Sequence, residues 1–284
     1  MILLNGEIVP REEGKIDIED RGFQFGDGIY EVIRVYNGKM FAVQDHIDRL
    51  LQSAKKLHIP FETETKEFVL QLKKLININD LTEGIVYIQV TRGTSIRTHA
   101  FPPIHTPITV VAYTAELNRP MEPLKTGGRC ILTEDIRWLR CDIKSVNLLG
   151  NVLAKQEAAE KGCIEAILHR GNTITEGSSS NVFIVKNGVI QTHPANQFIL
   201  NGITRKRIQN ICHKHLIPFV EQSFTTEELF RADEVFIAST TSEVMPIIEI
   251  DHQCINGSVP GPVTKKLQSL FLQEIEMECG AIKA

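Results

Sequence analysis

Apolar residues recur along this chain at two periods, and the switches between them mark its elements. Apolar stretches flank Asn5-Gly6, and EVIRVY and KMFAV flank Asn37-Gly38. Asn-Gly tolerates positive φ at both central turn positions, so each pair predicts a hairpin. From about residue 45, Ile47, Leu50, Leu51, Ala54 and Leu57 fall on one helical face. A second helix is predicted over about 65–77, carrying Phe68, Leu72 and Leu75. GIVYIQVTRG (84–93) and PITVVAYTA (107–115) read as buried strands. Further on, strands are predicted near 129–134, 164–169, 181–186, 189–193 and 234–239. Helices are predicted near 146–161, 204–215, 225–231 and 262–278. In the first of these, Asn147, Leu148, Asn151, Val152, Lys155 and Ala159 follow the helical period. Asn187-Gly188 marks another hairpin, and Thr225 with Glu228 fits a capping box.

Arg119-Pro120-Met121-Glu122-Pro123 interrupts the pattern. Two prolines in so short a stretch suit an extended connector. The expected organisation is an N-terminal domain over 1–118, a linker over 119–123 and a C-terminal domain over 124–284. The class is α/β or α+β, with the active site expected in the cleft between the domains. Composition changes little. Apolar residues make up 42% and charged residues 23%, an ordinary globular balance. A net charge of −4 gives no reason to expect nucleic acid or an anionic membrane as partner. No apolar run approaches the roughly 20 residues of a membrane span, and the N-terminus lacks a signal-peptide core. Cysteines 130, 141, 163, 212, 254 and 279 form no CxxC pair. They read as reduced thiols of a cytosolic protein, with no metal site.

The chemistry starts from Lys144, in RCDIKSVNLLGNVLAKQEA (140–158). There a strand-like segment ends in a lysine and a helix begins almost at once. A lysine so held can form a Schiff base with a cofactor aldehyde, although a lone lysine decides little. A pyridoxal phosphate enzyme needs three further parts. Glu176, in NTITEGSSSNVF (172–183), is the candidate for the pyridine nitrogen. Ser178, Ser179 and Ser180 offer donors there, or simply form a loop. Asn201-Gly202-Ile203-Thr204 runs into a helix and suits a phosphate cup. Thr204 reads equally as an N-cap. Ser239-Thr240-Thr241-Ser242 follows an apolar strand and offers more donors, and Arg49 adds a charge. Arg97 and His99, in TRGTSIRTHAFPP (91–103), suit a carboxylate trap or an exposed basic loop. They alternate, so in an extended segment they share one face. Gly26-Asp27-Gly28 only opens a dinucleotide fingerprint: Glu31 replaces the third glycine and a strand follows, so that reading is rejected.

Together, DRGFQFGDGIYEV (20–32), HIDRL (46–50), RWLRCDIKSVNLLGNVLAKQEA (137–158), EAILHRGN (165–172), TEGSSSNVF (175–183), NGITR (201–205) and STTSEVMPI (239–247) resemble the class IV pyridoxal phosphate aminotransferases, of fold type IV. They run in family order over nearly the whole chain. The resemblance implies a two-domain fold, a smaller N-terminal and a larger C-terminal domain, and pyridoxal 5'-phosphate as cofactor. It implies Lys144 as Schiff-base lysine and proton shuttle, and Glu176 as partner of the pyridine nitrogen. It places the phosphate on Arg49, Ile203, Thr204 and Thr240, with Ser239 beside them, and Leu200 against the ring. It gives the substrate carboxylate to Tyr30, Arg97 and His99. The last two would come from the neighbouring subunit of a homodimer, and Thr98 between them would point away. The Arg97–His99 pair further implies the subgroup that acts on D-amino acids, D-alanine, D-glutamate and D-aspartate, with 2-oxo acids such as 2-oxoglutarate or pyruvate. Its products are peptidoglycan precursors made in the cytoplasm. Branched-chain L-aminotransferases and aminodeoxychorismate lyases share the fold but lack the pair. An inactive cofactor-holding protein would not need every part intact.

Overall fold

The computed structural model describes residues 1–282. Two compact units divide them. The first takes in Met1–Asn118, the short return Ile143–Asn147 and residues 275–282. The second takes in Arg119–Asp142 and Leu148–Glu274.

The first unit is built on a six-stranded sheet of β1 (Ile2–Leu4), β2 (Glu7–Val9), β3 (Gly28–Tyr36), β4 (Lys39–Met40), β5 (Gly84–Thr91) and β6 (Thr109–Glu116), in the order β2-β1-β6-β5-β3-β4. All its ladders are antiparallel. Both predicted hairpins form, with φ of 49° and 88° at Asn5-Gly6 and 50° and 72° at Asn37-Gly38. A helix the sequence pattern did not reveal, α1 (Arg21–Phe25), precedes β3. It is a single short turn, too brief to show a period. Helices α2 (Val43–Lys56) and α3 (Thr65–Ile78) lie where the pattern predicts them. They bury Ile47, Leu50, Phe68, Leu72 and Leu75 in one core with Ile29, Ile33, Val86 and Ile88. β5 is buried on one face only: Val86, Ile88 and Val90 point into the core, and Tyr87 and Gln89 alternate with them on the half-exposed face.

The second unit holds a nine-stranded mixed sheet. Its strands are β7 (Gly128–Glu134), β8 (Glu165–Arg170), β9 (Thr173–Gly177), β10 (Asn181–Lys186), β11 (Val189–Thr192), β12 (Phe219–Glu221), β13 (Glu234–Ser239), β14 (Glu243–Ile250) and β15 (Gln253–Cys254). The order is β12-β11-β10-β13-β14-β7-β8-β9, with β15 beside β14. Around it run α4 (Met121–Thr126), α5 (Leu149–Glu160), α6 (Ile203–Lys214), α7 (Thr226–Phe230) and α8 (Pro262–Cys279), whose last residues belong to the first unit. The Thr225–Glu228 capping box and the Asn187-Gly188 turn form as predicted.

Two expectations change, and β14 is an element the sequence pattern did not predict. The expected extended linker starts a helix, α4, with Pro120 at its N-cap and Pro123 in its first turn. First-turn positions have no intrahelical use for the missing N–H, so proline is tolerated there. β14 went unpredicted because it carries Pro246, which pairs with Phe236 of β13 and lies just before the first β7 partner, Ile247 opposite Gly128; a proline inside a run argues against a central strand. In α5 the inward residues are Ala154 and Ala158, packed on Ile131, Ala166 and Leu168, while Leu149, Val152 and Leu153 are exposed. Small residues let a helix lie close to a sheet, so here size chooses the buried face. Among the described residues no helix is long and apolar enough to cross a membrane.

Candidate active site

In the first unit, Lys144 sits on the return segment Ile143–Asn147, which is not a strand but makes one bridge, Ile29 opposite Ser145. The helix expected from 146 starts at Leu149. The Tyr30 N–H donates to the Lys144 carbonyl at 3.0 Å, and the Val146 N–H donates to Gly28 O at 3.1 Å. The Lys144 N–H reaches Ser53 Oγ at 3.4 Å, and Ile143 is anchored in the core. Asn147 Nδ2 donates to Gly26 O at 2.8 Å. Gly26 closes α1 at φ 65°, and a Cβ there would meet Asn147 Oδ1 at 2.7 Å, so this position needs glycine on both counts. The Lys144 backbone is thus fixed to β3. Its Nζ lies 4.1 Å from the centre of the Tyr30 ring.

Tyr30 and Glu31 are neighbours on β3 and so point to opposite faces. Tyr30 stacks on Tyr87 at 5.8 Å, and Tyr87 on Tyr113 at 4.9 Å. Glu31 faces α2 and is fully buried. It accepts from Arg49 Nε at 2.6 Å and Nη2 at 2.9 Å, and lies 2.8 Å from His46 Nδ1. Burial opposes ionisation of Glu31, but the Arg49 charge and His46 hold its carboxyl far below the usual range. Burial lowers the His46 pKa. The expected phosphate residue Arg49 is therefore oriented by a buried carboxylate that the sequence reading passed over.

Arg97 and His99 stand on an irregular segment rather than an extended one, and both are exposed. They nevertheless converge on Phe25. The Arg97 guanidinium carbon lies 4.8 Å from the ring centre, and the His99 ring lies 5.6 Å away at 54°.

In the second unit, Glu176 lies on β9 and is buried. Its Oε1 accepts from Arg137 Nη1 at 2.6 Å. Its Oε2 accepts from Asn181 Nδ2 and from the Leu200 N–H, each at 3.0 Å. Arg137 is in turn gripped by Asp135, at 2.8 and 2.9 Å, and Asp135 also accepts from Arg170 and Thr175. Burial opposes ionisation of Asp135, but Arg137, Arg170 and Thr175 bring it down to about 2. For Glu176 burial wins and pushes the carboxyl up to about 7 despite Arg137.

The serine hydroxyls that the sequence offered as ligand donors turn inward. Ser178, Ser179 and Ser180 all donate to the buried carboxylate of Glu165. Leu200 is half-buried, and its carbonyl accepts from Asn181 at 2.8 Å. Gly202, not Thr204, is the N-cap of α6, and no side chain caps that end. Ile203 and Thr204 are buried in the first turn. Half-buried Ser239 ends β13 and half-buried Thr240 opens the turn after it, and Ser239 Oγ accepts from the Ser242 N–H at 3.1 Å. Glu31, Phe25, Arg137 and Asn181 went unassigned in the sequence, although each lies inside a quoted motif.

The first unit thus provides a fixed amine beside a tyrosine, and the second, by itself, a buried carboxyl of raised proton affinity and an uncapped helix N-terminus. Residues 28–250 match the family Amino-transferase class IV. The D-alanine aminotransferase of Staphylococcus aureus (strain MSSA476) is 49% identical over 275 residues, 97% of this chain and 98% of that protein. The crystal structure of the Escherichia coli branched-chain amino acid aminotransferase matches with a TM-score of 0.89 at 28% identity, over 94% of this chain and 92% of that one. The branched-chain aminotransferase of the thermophilic archaeon Thermoproteus uzoniensis, solved with norvaline, matches at 0.87 and 28%, over 98% and 94%. The chain belongs to the class IV aminotransferases, enzymes that use pyridoxal phosphate.

Proposed function

We propose that this enzyme exchanges an amino group between D-amino acids and 2-oxo acids, and that D-alanine is a principal substrate. The observation that carries this reading is the Arg97–His99 pair gathered on Phe25. The nearly full-length identity to a D-alanine aminotransferase supports it, whereas the branched-chain structures share the fold at lower identity.

The residues present suit pyridoxal phosphate. An uncapped α6 N-terminus with Gly202 and buried Thr204 is a donor set for a phosphate monoester. A buried carboxyl of raised proton affinity suits a pyridine nitrogen. When bound, the cofactor supplies an aldehyde for amines and a ring that takes up the electron pair left by a departing α-proton. Arg49, Ile203, Thr204, Ser239 and Thr240 would hold its phosphate, Leu200 would support its ring, and Glu176 would keep a proton on its ring nitrogen. Lys144 Nζ, once neutral, receives the substrate's α-proton and later gives it up. Tyr30, Arg97 and His99 fix the substrate carboxylate. A D-substrate shows its α-hydrogen to Lys144 only with carboxylate and side chain exchanged relative to an L-substrate. The side that holds the carboxylate therefore selects the enantiomer.

Losing Arg97 removes a charge-assisted hydrogen bond, which contributes about 1.5–3 kcal/mol. Arg97→Ala should therefore lower kcat/KM for D-alanine by about one to two orders of magnitude. The bound cofactor's absorbance should change little. Intact D-alanine turnover in this variant would remove both residues from the trap.

The exposure of Arg97 and His99 suits a homodimer in which each subunit lends this pair to its partner's site. Lys144→Ala and Arg97→Ala subunits, each nearly inactive, should then recover activity on mixing once subunits exchange. One heterodimer site would carry both lesions and the other neither. Active monomers, shown by sedimentation with assay, would contradict the shared site. A cytoplasmic supply of D-alanine and D-glutamate for bacterial peptidoglycan fits this activity.

A further inference from the structure

We infer that Arg21 is a positioning residue for substrate binding: it holds the segment that presents Arg97 and His99. The inference rests on those two being the carboxylate-binding pair.

Arg21 is the first residue of α1 and is only 3% exposed, so it cannot itself reach substrate. Its backbone is fixed from both ends of that turn. Asp20 caps α1 by accepting from the Gly22 N–H at 2.8 Å, and left-handed Gly26 closes it. The Arg21 N–H donates to Gly93 O at 2.9 Å. The side chain then divides its donors. Nε is held by Asp27 Oδ2 at 2.8 Å, and Nη1 turns to the backbone carbonyls of Thr98, at 2.7 Å, and Ala100, at 3.3 Å.

Those two carbonyls flank His99, and Thr98 separates it from Arg97. Thr98 thus matters through its main chain, whatever its side chain does. The segment has no helix or strand to support it beyond the bridge at Thr94. One guanidinium therefore does what a ladder would do elsewhere. Phe25, in the same short helix, adds an apolar surface. The guanidinium carbons of Arg21 and Arg97 each lie 4.8 Å from its ring centre. Downstream, the Arg92 guanidinium lies 3.7 Å from the Phe101 ring centre.

Arg21 can be removed without stranding a charge. Asp27 also accepts from Arg92 Nε at 2.7 Å and Nη2 at 3.0 Å. In Arg21→Met, Asp27 keeps this second partner and the methionine still covers Phe25, but the carbonyls of Thr98 and Ala100 lose their donor. Arg97 and His99 would then have to be ordered by each incoming substrate, an entropic cost that falls on binding.

The test uses the cofactor-loaded enzyme and D-alanine. Arg21→Met should raise KM about tenfold while kcat stays within about threefold, the sign of lost uniform binding. Amide hydrogen exchange should quicken over residues 94–101 and not over the rest of the first unit. In an Arg97→Ala background the same change should add less than about twofold, because both lesions act through one segment. Arg21→Lys, which keeps the charge but not the fork, should give a smaller rise in KM, and it serves as the variant if the methionine form does not fold. Full multiplication of the two effects, a loss confined to kcat, or unchanged exchange over 94–101 would overturn the positioning role. If Arg97→Ala raises KM and neither Arg21 variant does, the positioning role alone fails. If Arg97→Ala leaves KM unchanged, the carboxylate reading fails and the inference falls with it.

Discussion

Lys144→Ala should abolish turnover while leaving a folded protein. Loss of the proton transfer alone removes a factor of about a hundred to ten thousand, and loss of the covalent attachment adds to it. The fold should survive because the segment is held through its backbone. The Lys144 carbonyl still accepts from Tyr30, and its N–H still faces Ser53. No other lysine stands in a matching motif. The nearest along the chain, Lys155, is engaged on α5, where it donates to Ile164 O and stands 3.9 Å from Glu165. Single-turnover assay, thermal unfolding and the visible spectrum of the bound cofactor together check the variant. Near-normal activity with an unchanged spectrum would show that the attachment lies elsewhere.

Glu176→Lys should cost both activity and stability. The variant replaces the acceptor for Arg137, Asn181 and Leu200 with a cation facing Arg137. Breaking a buried pair costs about 3–5 kcal/mol, and Asp135 should keep the loss toward the lower end by retaining Arg137. At the ring nitrogen a lysine would drive off the proton that makes the ring an electron sink, so transamination should fall steeply. Glu176→Gln separates the two effects. It should stay folded and still turn over more slowly. The same pair of proteins reads the raised pKa. The folded carboxyl binds its proton more tightly than the unfolded one, so its contribution is complete below the unfolded value, about 4.5, and is lost as pH rises through about 7. Cofactor-free wild type should therefore lose stability relative to Glu176→Gln across that window, as denaturant titrations can show. Parallel curves would mean that Glu176 ionises normally, and unchanged Glu176→Lys kinetics would remove it from the ring nitrogen.

What the sequence revealed about the fold follows from how local each cause is. Asn-Gly turns and the periods of α2 and α3 depend on neighbouring residues, and they were legible. The buried face of α5 was not, because it depends on how closely Ala154 and Ala158 let the helix approach the sheet. β14 hides behind Pro246, which argues against a central strand and whose place opposite Phe236 is visible only in the folded sheet. At the candidate site, the motifs exposed the two residues proposed to do the chemistry, Lys144 and Glu176. Their supports were silent. Arg137 meets Glu176 across 39 residues of chain, and Arg21 meets Thr98 across 77, so no spacing rule connects them. The placement of Lys144 was half legible: its motif stood out, but its return to the first unit beside Tyr30 is a fact of the folded chain.

The central claim is that this chain is a D-amino-acid aminotransferase, and one competition measures it. Loaded with pyridoxal phosphate, the enzyme is given D-alanine and L-leucine together with 2-oxoglutarate, and each amino acid is followed by chiral chromatography. The account predicts that D-alanine disappears, with pyruvate and D-glutamate formed in equal amounts, while L-leucine is largely spared. Faster consumption of L-leucine than of any D-amino acid would contradict it and place the enzyme with the branched-chain aminotransferases.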